Sequence, residues 1–499
     1  MSDNPAVFPD WLTHQAQTKP GRAALIVDGR PLTFGELDRA AGSVSRKLAT
    51  LGVGAGDRVA AMLNNSLEMA LLPHATLRLG ATLVPLNVRL SERELAWQLG
   101  DSNPRVLVVN HRTRERAEAA LREHGSVRSV TTDELTHVKE SKVQLRLQHD
   151  RDATLAIIYT SGTTGRPKGA MLTVANFWWS AIGSALNLGT HATDRWIACM
   201  PLFHVGGLSI LMRSAIYGIT AIVHDGFDEH AVNSAIDGGA STVSVVATML
   251  ERMLNERKGR AYPATLRCIL LGGGPAPVSL LERCMSMNAP VVQTYGLTET
   301  CSQAVTLSPS EAAERHGAAG KALYPNEIRI EPSVDGPSDD GAGEILVRGP
   351  IVMAGYLGQS DATTHAMRGG WLHTGDIGRL DDEGYLYVLD RRDDLIITGG
   401  ENVYPAEVEA VLFSHPSVAE AGVIGIADDK WGQRVVAITR LSKLNDGPPP
   451  DAAALDAYCR TRLASYKVPK EFRFVSEALP RTASGKLRRA ELRDSLLTV

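Results

Sequence analysis

Residues 159–169 read YTSGTTGRPKG, and this stretch is the strongest local signal in the chain. It follows the apolar run of residues 154–158, which predicts a buried strand. Its glycines allow tight curvature and close approach of a ligand to the backbone. Hydroxyl groups beside exposed backbone N–H groups, together with one lysine, suit a loop that holds a polyphosphate. The predicted phosphate contacts are Thr160, Ser161, Gly162, Thr163, Thr164 and Lys168.

The loop is not a Walker A loop, because that pattern requires G-x₄-G-K-[ST] and the second glycine comes too soon here. On both sides of it, strand-like and helix-like segments alternate. Residues 33–51 predict a helix that opens with a capping box of Thr33 and Glu36, and residues 67–79 predict another helix. This repeated β-α-β order predicts an α/β fold with parallel sheets and helices on both faces.

The pattern changes after about residue 341. Residues 343–348 and 384–390 are short alternating stretches bounded by Gly and Asp, and they predict antiparallel hairpins. A new unit of mixed helices and strands begins near residue 393. We therefore expect a large domain at residues 1–392 and a small α+β domain at residues 393–499.

Composition excludes several classes of protein. The 499 residues are 44% hydrophobic and 22% charged, which is ordinary for a globular protein. The net charge of −4 does not indicate the basic domain that nucleic-acid binding requires. The five cysteines form no C-x-x-C pair, so we expect no zinc site and a reducing compartment. The polar N-terminus and the lack of a long apolar run predict a cytoplasmic protein without a membrane span.

Three further motifs carry side chains suited to a nucleotide. In YGLTET (residues 295–300), Thr298 can donate to a phosphate and the Glu299 carboxylate suits Mg²⁺. In TGD (residues 374–376), Asp376 can accept both hydroxyls of a ribose. The glycines of GGGPAP (residues 272–277) let a flat ligand lie against the backbone at the end of a strand. Taken singly, each motif is equally well explained by a solvated side chain or a tight turn.

Taken together, these motifs resemble those of the adenylate-forming (AMP-binding) superfamily, which includes the acyl-CoA synthetases. DRRDDLIITGGENVYPAEVE (residues 390–409) and PRTASGKL (residues 480–487) complete the resemblance in the same order, over essentially the whole chain. The resemblance implies a large domain of stacked α/β sheets with a β-barrel-like subdomain and a mobile C-terminal domain. It implies ATP, Mg²⁺ and coenzyme A as cofactor and co-substrates, and a small-molecule carboxylic acid as substrate.

The resemblance also assigns residues to roles. Lys486 stabilises charge during adenylation, with Thr298, Glu299 and His204 as further catalytic residues and Glu299 as the metal ligand. Asp393 is the hinge between the domains, and Gly400 and Trp431 lie along the coenzyme A path. The residues implied to bind the nucleotide are Gly272, Gly273, Gly274, Pro275, Tyr295, Gly296, Asp376 and Arg391.

Within the superfamily, PLFHVGGLS (residues 201–209) and the segments around it most resemble o-succinylbenzoate–CoA ligases of menaquinone biosynthesis. The predicted acyl pocket is small and mixed, and Gly206, Gly207 and Gly274 leave room for a ring. Arg213 either neutralises a second carboxylate of the substrate or points elsewhere on its helix. The predicted pocket residues are His204, Gly207, Ser209, Gly274, Ser302 and Gln303.

Other functions stay open at this point. A CoA ligase for another aromatic or bulky cyclic acid needs only a few pocket changes. A free-standing adenylating enzyme that loads a carrier protein would share the same motifs. A protein that has lost one half-reaction is disfavoured by the intact Lys486, Glu299 and Asp376. The oligomeric state, including a homodimer, is also left open by the sequence.

Overall fold

The structure is a computed structural model that describes residues 7–124, 127–160, 167–273, 278–312, 314–315, 317–332, 341–390, 396–403, 405–442, 450–480, 489 and 491–493. The chain divides into two units. Unit 1 consists of Met1–Val88, Asp101–Ile158 and Gly169–Leu389, and unit 2 consists of Arg89–Gly100, Tyr159–Lys168 and Asp390–Val499. The last stretch of unit 2 begins three residues before the expected boundary, and two short stretches from earlier in the chain join it.

Helices and strands alternate through most of the chain. The helices are α1 (Trp11–Thr18), α2 (Phe34–Thr50), α3 (Leu67–Leu79), α4 (Glu92–Ser102), α5 (Arg114–His124), α6 (Thr132–His137), α7 (Val174–Leu188), α8 (Val205–Tyr217), α9 (Glu229–Asp237), α10 (Ala247–Arg257), α11 (Val278–Ser286), α12 (Ser360–Ala366), α13 (Pro405–Phe413) and α14 (Ala452–Arg460), with a 3₁₀ turn at Thr298–Thr300.

The strands are β1 (Val7–Pro9), β2 (Ala23–Val27), β3 (Arg30–Thr33), β4 (Arg58–Met62), β5 (Thr82–Pro85), β6 (Val106–Val109), β7 (Arg128–Thr131), β8 (Gln148–Asp150), β9 (Thr154–Thr160), β10 (Lys168–Thr173), β11 (Arg195–Ala198), β12 (Thr220–Val223), β13 (Thr242–Val245), β14 (Cys268–Leu271), β15 (Val291–Tyr295), β16 (Val305–Thr306), β17 (Lys321–Ala322), β18 (Glu327–Pro332), β19 (Gly343–Arg348), β20 (Gly355–Tyr356), β21 (Met367–Arg368), β22 (Trp371–Leu380), β23 (Leu386–Asp390), β24 (Ile396–Thr398), β25 (Glu401–Val403), β26 (Val418–Asp428), β27 (Gly432–Leu441) and β28 (Glu471–Val475).

Two large sheets confirm the predicted α/β class. One has the strand order β20-β10-β9-β5-β4-β6-β7, and the other has the order β17-β16-β15-β14-β13-β11-β12-β2-β3. Their central strands pair in parallel, as in β4 with β6 and β13 with β14. Strands β6, β13 and β14 are buried along their whole length, because helices cover both faces of such a sheet.

The sheets are mixed, because antiparallel strands lie at the edges of their parallel central strands. Strands β2 and β3 pair antiparallel across the two residues Asp28 and Gly29. Both of these residues have positive φ, +50° and +73°, which is the backbone of a tight hairpin turn. A two-residue connection cannot join parallel strands, so the Asp-Gly pair fixes the antiparallel edge.

The antiparallel hairpins predicted after residue 341 are present. Strand β19 coincides with the predicted residues 343–348, whereas β23 is shorter than the predicted residues 384–390. A third sheet of unit 1 joins β18, β19, β22 and β21, with β23 paired to β22. Its first strand, β18, lies before residue 341, so the antiparallel region begins earlier than expected.

The last stretch of unit 2 carries the expected α+β pattern. Strands β25, β24, β27 and β26 form an antiparallel sheet, and β28 adds to β27 in parallel. Helices α13 and α14 pack with this sheet around a small apolar core. Helix α13 begins at Pro405, a residue type favoured in the first turn of a helix.

Local signals set several helix ends. The Thr33 side chain accepts from the Glu36 N–H and the Glu36 side chain accepts from the Thr33 N–H, which confirms the predicted capping box. Helix α3 matches its predicted bounds. It ends at Gly80, whose φ of +69° is the left-handed conformation that a glycine adopts without cost.

All five cysteines are buried free thiols. Burial raises the pKa of Cys199 and of Cys268 to about 12, so these thiols are poor nucleophiles. In the part of the chain that the structure describes, every helix is too short or too polar to be a transmembrane span.

Candidate active site

The ends of two neighbouring strands of unit 1 carry the glycines predicted to face a nucleotide. Gly272 and Gly273 follow β14, and Gly296 follows β15. A Cβ on Gly296 would lie 1.6 Å from the backbone oxygen of Ser302, so only glycine fits there. The carboxyl ends of parallel strands are where such sheets bind ligands. Gly274 and Pro275 lie outside the described residues.

A long-range hydrogen bond joins two of the predicted nucleotide residues. Tyr295, the last residue of β15, donates its hydroxyl to Asp376 Oδ2 at 2.8 Å. Both residues are buried. The structure therefore brings the YGLTET and TGD motifs together, and it fixes the orientation of the Asp376 carboxylate. Arg391 lies outside the described residues.

The predicted metal ligand is also held in place. Glu299 lies half-buried in the 3₁₀ turn, and the Tyr356 hydroxyl donates to its Oε1 at 2.9 Å. The backbone oxygen of Glu299 accepts from the Met353 N–H at 2.9 Å. A carboxylate beside the hydroxyl of Thr298 is a set of hard oxygen donors, and this set fits Mg²⁺.

The chain reverses sharply after this turn. Cys301 and Ser302 have φ of +50° and +94°, in the region that side chains other than glycine avoid. Strained backbone of this kind persists only where its surroundings hold it, and it concentrates at functional sites. The reversal presents residues 302–303 next to the YGLTET turn.

Helix α8 begins in the predicted acyl-pocket segment. His204 is its N-cap residue, and the His204 ring lies 4.7 Å from the ring of Phe203. A Cβ on Gly207 would come within 2.3 Å of the Pro201 oxygen. Close packing against the backbone is therefore enough to require glycine at position 207. This is an alternative to the prediction that Gly207 makes room for the substrate.

Arg213 is a buried cation on the same helix. Only 2% of it is exposed, and its Nη2 donates to Ser180 Oγ at 3.3 Å. Ser180 Oγ in turn donates to the Cys301 oxygen at 2.7 Å, which ties Arg213 to the 301–303 segment. Its guanidinium lies 5.4 Å from the centroid of the Trp196 ring. Burial lowers the pKa of Arg213 below its ordinary range.

Among the described residues, no Asp or Glu forms an ion pair with Arg213, and its Nε has no hydrogen-bond partner. Both side-chain amide atoms of Gln303 and the Oγ of Ser209 are buried as well, and among the described residues they too have no hydrogen-bond partner. Buried polar groups in folded proteins are nearly always paired, and a buried charge without a partner is costly. Unpaired groups of these kinds indicate a place for a polar ligand.

Unit 2 contains the predicted residues of the phosphate loop and of the coenzyme A path. Thr160 Oγ1 donates to the backbone oxygen of Lys168 at 3.4 Å. Gly400 has φ of +81° in the turn between β24 and β25. A Cβ on the preceding Gly399 would lie 2.9 Å from the ring of Trp431, which is 42% exposed. Ser161, Gly162, Thr163, Thr164, Asp393 and Lys486 lie outside the described residues.

Sequence reasoning missed two residues that hold carboxylates in place. Tyr356 holds Glu299 across 57 positions of sequence, and nothing in its local sequence signals this contact. Lys467 of unit 2 is buried, and its Nζ lies 2.7 Å from both Glu94 Oε1 and Glu407 Oε1. Burial raises the pKa of Glu407 to about 7, against the lowering effect of Lys467.

Comparison with known proteins gives the class of the chain. Residues 12–357 match the AMP-binding enzyme family, and residues 407–486 match the AMP-binding enzyme C-terminal domain. The chain belongs to the AMP-binding enzyme family.

Its relatives are more specific. The 2-succinylbenzoate–CoA ligase of Geobacillus kaustophilus is 50% identical over 487 residues, which cover 97% of each chain. A double mutant of the Bacillus subtilis o-succinylbenzoate CoA synthetase, solved with a product analogue, OSB-NCoA, is 46% identical. It matches with a TM-score of 0.91 over 98% of each chain. The same B. subtilis enzyme with ATP and a magnesium ion is 45% identical, with a TM-score of 0.75 over 98% of this chain and 100% of that one.

Proposed function

We propose that this protein is an ATP-dependent, AMP-forming acid–thiol ligase that joins o-succinylbenzoate to coenzyme A. The reaction proceeds through an acyl-adenylate and then a thioester, as a step of menaquinone biosynthesis. Near-full-length relatives at 45–50% identity that bear this activity in their names support the proposal. The single observation that carries the choice of acid is the buried Arg213, which has no acidic partner among the described residues.

The chemistry of the acid matches this feature. o-Succinylbenzoate carries two carboxylates, and only one is activated in a single turnover. The other carboxylate must be buried with the ring, and a buried carboxylate needs a cation or several donors. Arg213 supplies the cation, and Gln303 and Ser302 supply hydrogen-bonding groups on the adjoining segment. A guanidinium also suits a planar carboxylate because it offers two parallel N–H groups.

Other residues act on the nucleotide. Asp376, oriented by the Tyr295 hydroxyl, accepts from the ribose hydroxyls of ATP. Thr298 donates to a phosphate of ATP. Gly272 and Gly273 have no side chains, so the adenine base can approach the backbone there. Thr298 and Glu299 would hold Mg²⁺, which neutralises phosphate charge when bound.

The two half-reactions use different residues of the C-terminal stretch. Lys486 stabilises the negative charge that gathers at the α-phosphate as the carboxylate attacks and pyrophosphate leaves. Asp393 is the hinge residue between the two domains, and rotation about it takes the enzyme from the first half-reaction to the second. Gly400 lets the narrow pantetheine arm pass close to the backbone, and the half-exposed Trp431 offers a ring face to coenzyme A.

The setting of the enzyme is part of the proposal. ATP, coenzyme A and five unoxidised thiols fit the reducing cytoplasm. A homodimer is compatible with the chain and is tested by its mass in solution.

A substrate panel tests the proposal. kcat/KM for thioester formation is measured with o-succinylbenzoate, benzoate and octanoate in the presence of coenzyme A. Adenylation of each acid is measured without coenzyme A, by ATP–pyrophosphate exchange. A site built to pair a polar arm should reject acids that lack it by about 10³-fold or more. A preference for octanoate, or adenylation of o-succinylbenzoate without transfer to coenzyme A, would contradict the proposal. In the latter case, transfer to a carrier protein becomes the reading to test.

A further inference from the structure

The TGD motif lies in an irregular part of the third sheet. Between β19 and β22, Glu344 pairs with Ile377 and Leu346 pairs with His373. Between these two pairs, β19 has one residue, Ile345, whereas β22 has three residues, which are the TGD motif. This is a β-bulge, a feature that re-aims side chains beside active sites. Here the bulge carries Asp376.

A bulge removes backbone groups from the ladder, and these groups need other partners. The Gly375 N–H donates to Glu344 Oε1 at 2.8 Å. The Thr374 hydroxyl donates to the Ile345 oxygen at 2.7 Å and accepts from the Asp376 N–H at 3.1 Å. Glu344, on the neighbouring strand, is therefore the side chain that holds the middle of the bulge.

The other oxygen of Glu344 is also held. Its Oε2 lies 3.1 Å from His373 Nδ1 and 3.7 Å from a guanidinium nitrogen of Arg368. Glu331, Glu344 and His373 place potential metal-ligand atoms within 4.8 Å of one another. Arg368 and Arg329 already balance the two carboxylates, so ion pairing accounts for this cluster without a metal.

We propose that Glu344 is a positioning residue for nucleotide binding, which acts by holding the TGD bulge so that Asp376 stays aimed at the ribose. The proposal rests on the proposed role of Asp376. It adds a residue that touches neither substrate nor nucleotide, and whose effect passes through the Gly375 N–H.

The test compares Glu344→Ala with Glu344→Gln. Affinity for a non-hydrolysable ATP analogue is measured by calorimetry without acid or coenzyme A, so a wrong choice of acid leaves this readout intact. Losing a hydrogen bond to a charged acceptor predicts about tenfold weaker nucleotide binding for Glu344→Ala. Because a glutamine oxygen still accepts from the Gly375 N–H, Glu344→Gln should stay within about threefold of the parent protein.

Two further readouts separate positioning from general damage. Hydrogen exchange of a peptide spanning residues 371–380 should speed up in Glu344→Ala and not in Glu344→Gln. KM for ATP should rise while KM for the acid stays unchanged. Glu327→Ala is the matched control, because Glu327 is an exposed ion-paired carboxylate of the same sheet, bonded to Arg348. This control should bind the analogue normally.

Several outcomes would overturn the proposal. Glu344→Ala could bind the analogue as tightly as the parent with unchanged exchange at residues 371–380. Glu344→Gln could lose as much affinity as Glu344→Ala, which would make the charge and not the acceptor responsible. If Glu344→Ala does not fold, Glu344→Met, which keeps the bulk of the side chain and removes the acceptor, takes its place: about tenfold weaker binding than Glu344→Gln supports the proposal, and equal binding contradicts it.

Discussion

Replacing Arg213 by methionine separates the recognition of the second carboxylate from every other part of the reaction. The guanidinium is buried, donates to Ser180 and lies over Trp196. Truncating one partner of a buried charge pair costs about 2–5 kcal/mol. At about 1.4 kcal/mol per factor of ten, kcat/KM for o-succinylbenzoate should fall by about 30-fold to about 4000-fold. Affinity for ATP should not change.

The same substitution has an unusual stability signature. In the free protein Arg213 has no acidic partner among the described residues, and replacing an unpaired buried charge by an apolar side chain is neutral or stabilising. The Tm of Arg213→Met should therefore be unchanged or higher. Arg257 is the matched control, because it is also buried but pairs with Asp237 at 3.0 Å and lies 4.2 Å from the Tyr262 ring centroid. Arg257→Met should lower Tm and leave kcat/KM unchanged.

The assay uses acids that each lack one carboxylate, 4-oxo-4-phenylbutanoate and 2-butanoylbenzoate. The analogue that is still activated lacks only the carboxylate that Arg213 would hold. The parent protein should discriminate strongly against it, and Arg213→Met should lose most of that discrimination. The ratio to compare is kcat/KM for o-succinylbenzoate divided by kcat/KM for the activated analogue. If this ratio is the same in the parent protein and in Arg213→Met, Arg213 does not recognise the second carboxylate.

Three further predictions concern catalysis and stability. Lys486→Ala should slow adenylation by about a hundredfold or more yet spare transfer from a pre-made acyl-adenylate; equal losses in separate half-reaction assays would contradict its role. Glu299→Gln should weaken the rate and Mg²⁺ dependence together, whereas turnover in excess chelator would remove the metal from the mechanism. Burial lowers the pKa of His74 from 6.5 to about 4, so only the unfolded state takes up its proton between these values. Urea titrations should show stability falling as pH drops from about 6.5 to about 4, and a His74→Gln curve parallel to the parent curve would refute this.

The local features of the fold were readable from the sequence because their causes are local. The capping box at Thr33 and the left-handed Gly80 that ends α3 are each set by a few neighbouring residues. The antiparallel β2–β3 edge depends on an Asp-Gly turn that was equally visible, but the prediction of parallel sheets did not take it into account.

The candidate site, too, could be predicted from the sequence only in part. Motifs place Asp376, Glu299 and their neighbours near a nucleotide, but the bonds that orient these carboxylates come from Tyr295 and Tyr356, which are 81 and 57 positions away. An arginine on an apolar helix is ambiguous in sequence. Only the packing around Arg213 establishes that it is buried and that no described carboxylate pairs with it.

Direct product analysis tests most sharply whether this protein makes o-succinylbenzoyl-CoA from the free acid, ATP and coenzyme A. The purified protein is incubated with these three compounds and Mg²⁺, and the quenched mixture is analysed by chromatography and mass spectrometry. We expect one AMP and one pyrophosphate for each thioester formed, with an acyl-adenylate accumulating when coenzyme A is left out. The absence of thioester in the complete mixture, or the appearance of ADP in place of AMP, would contradict it.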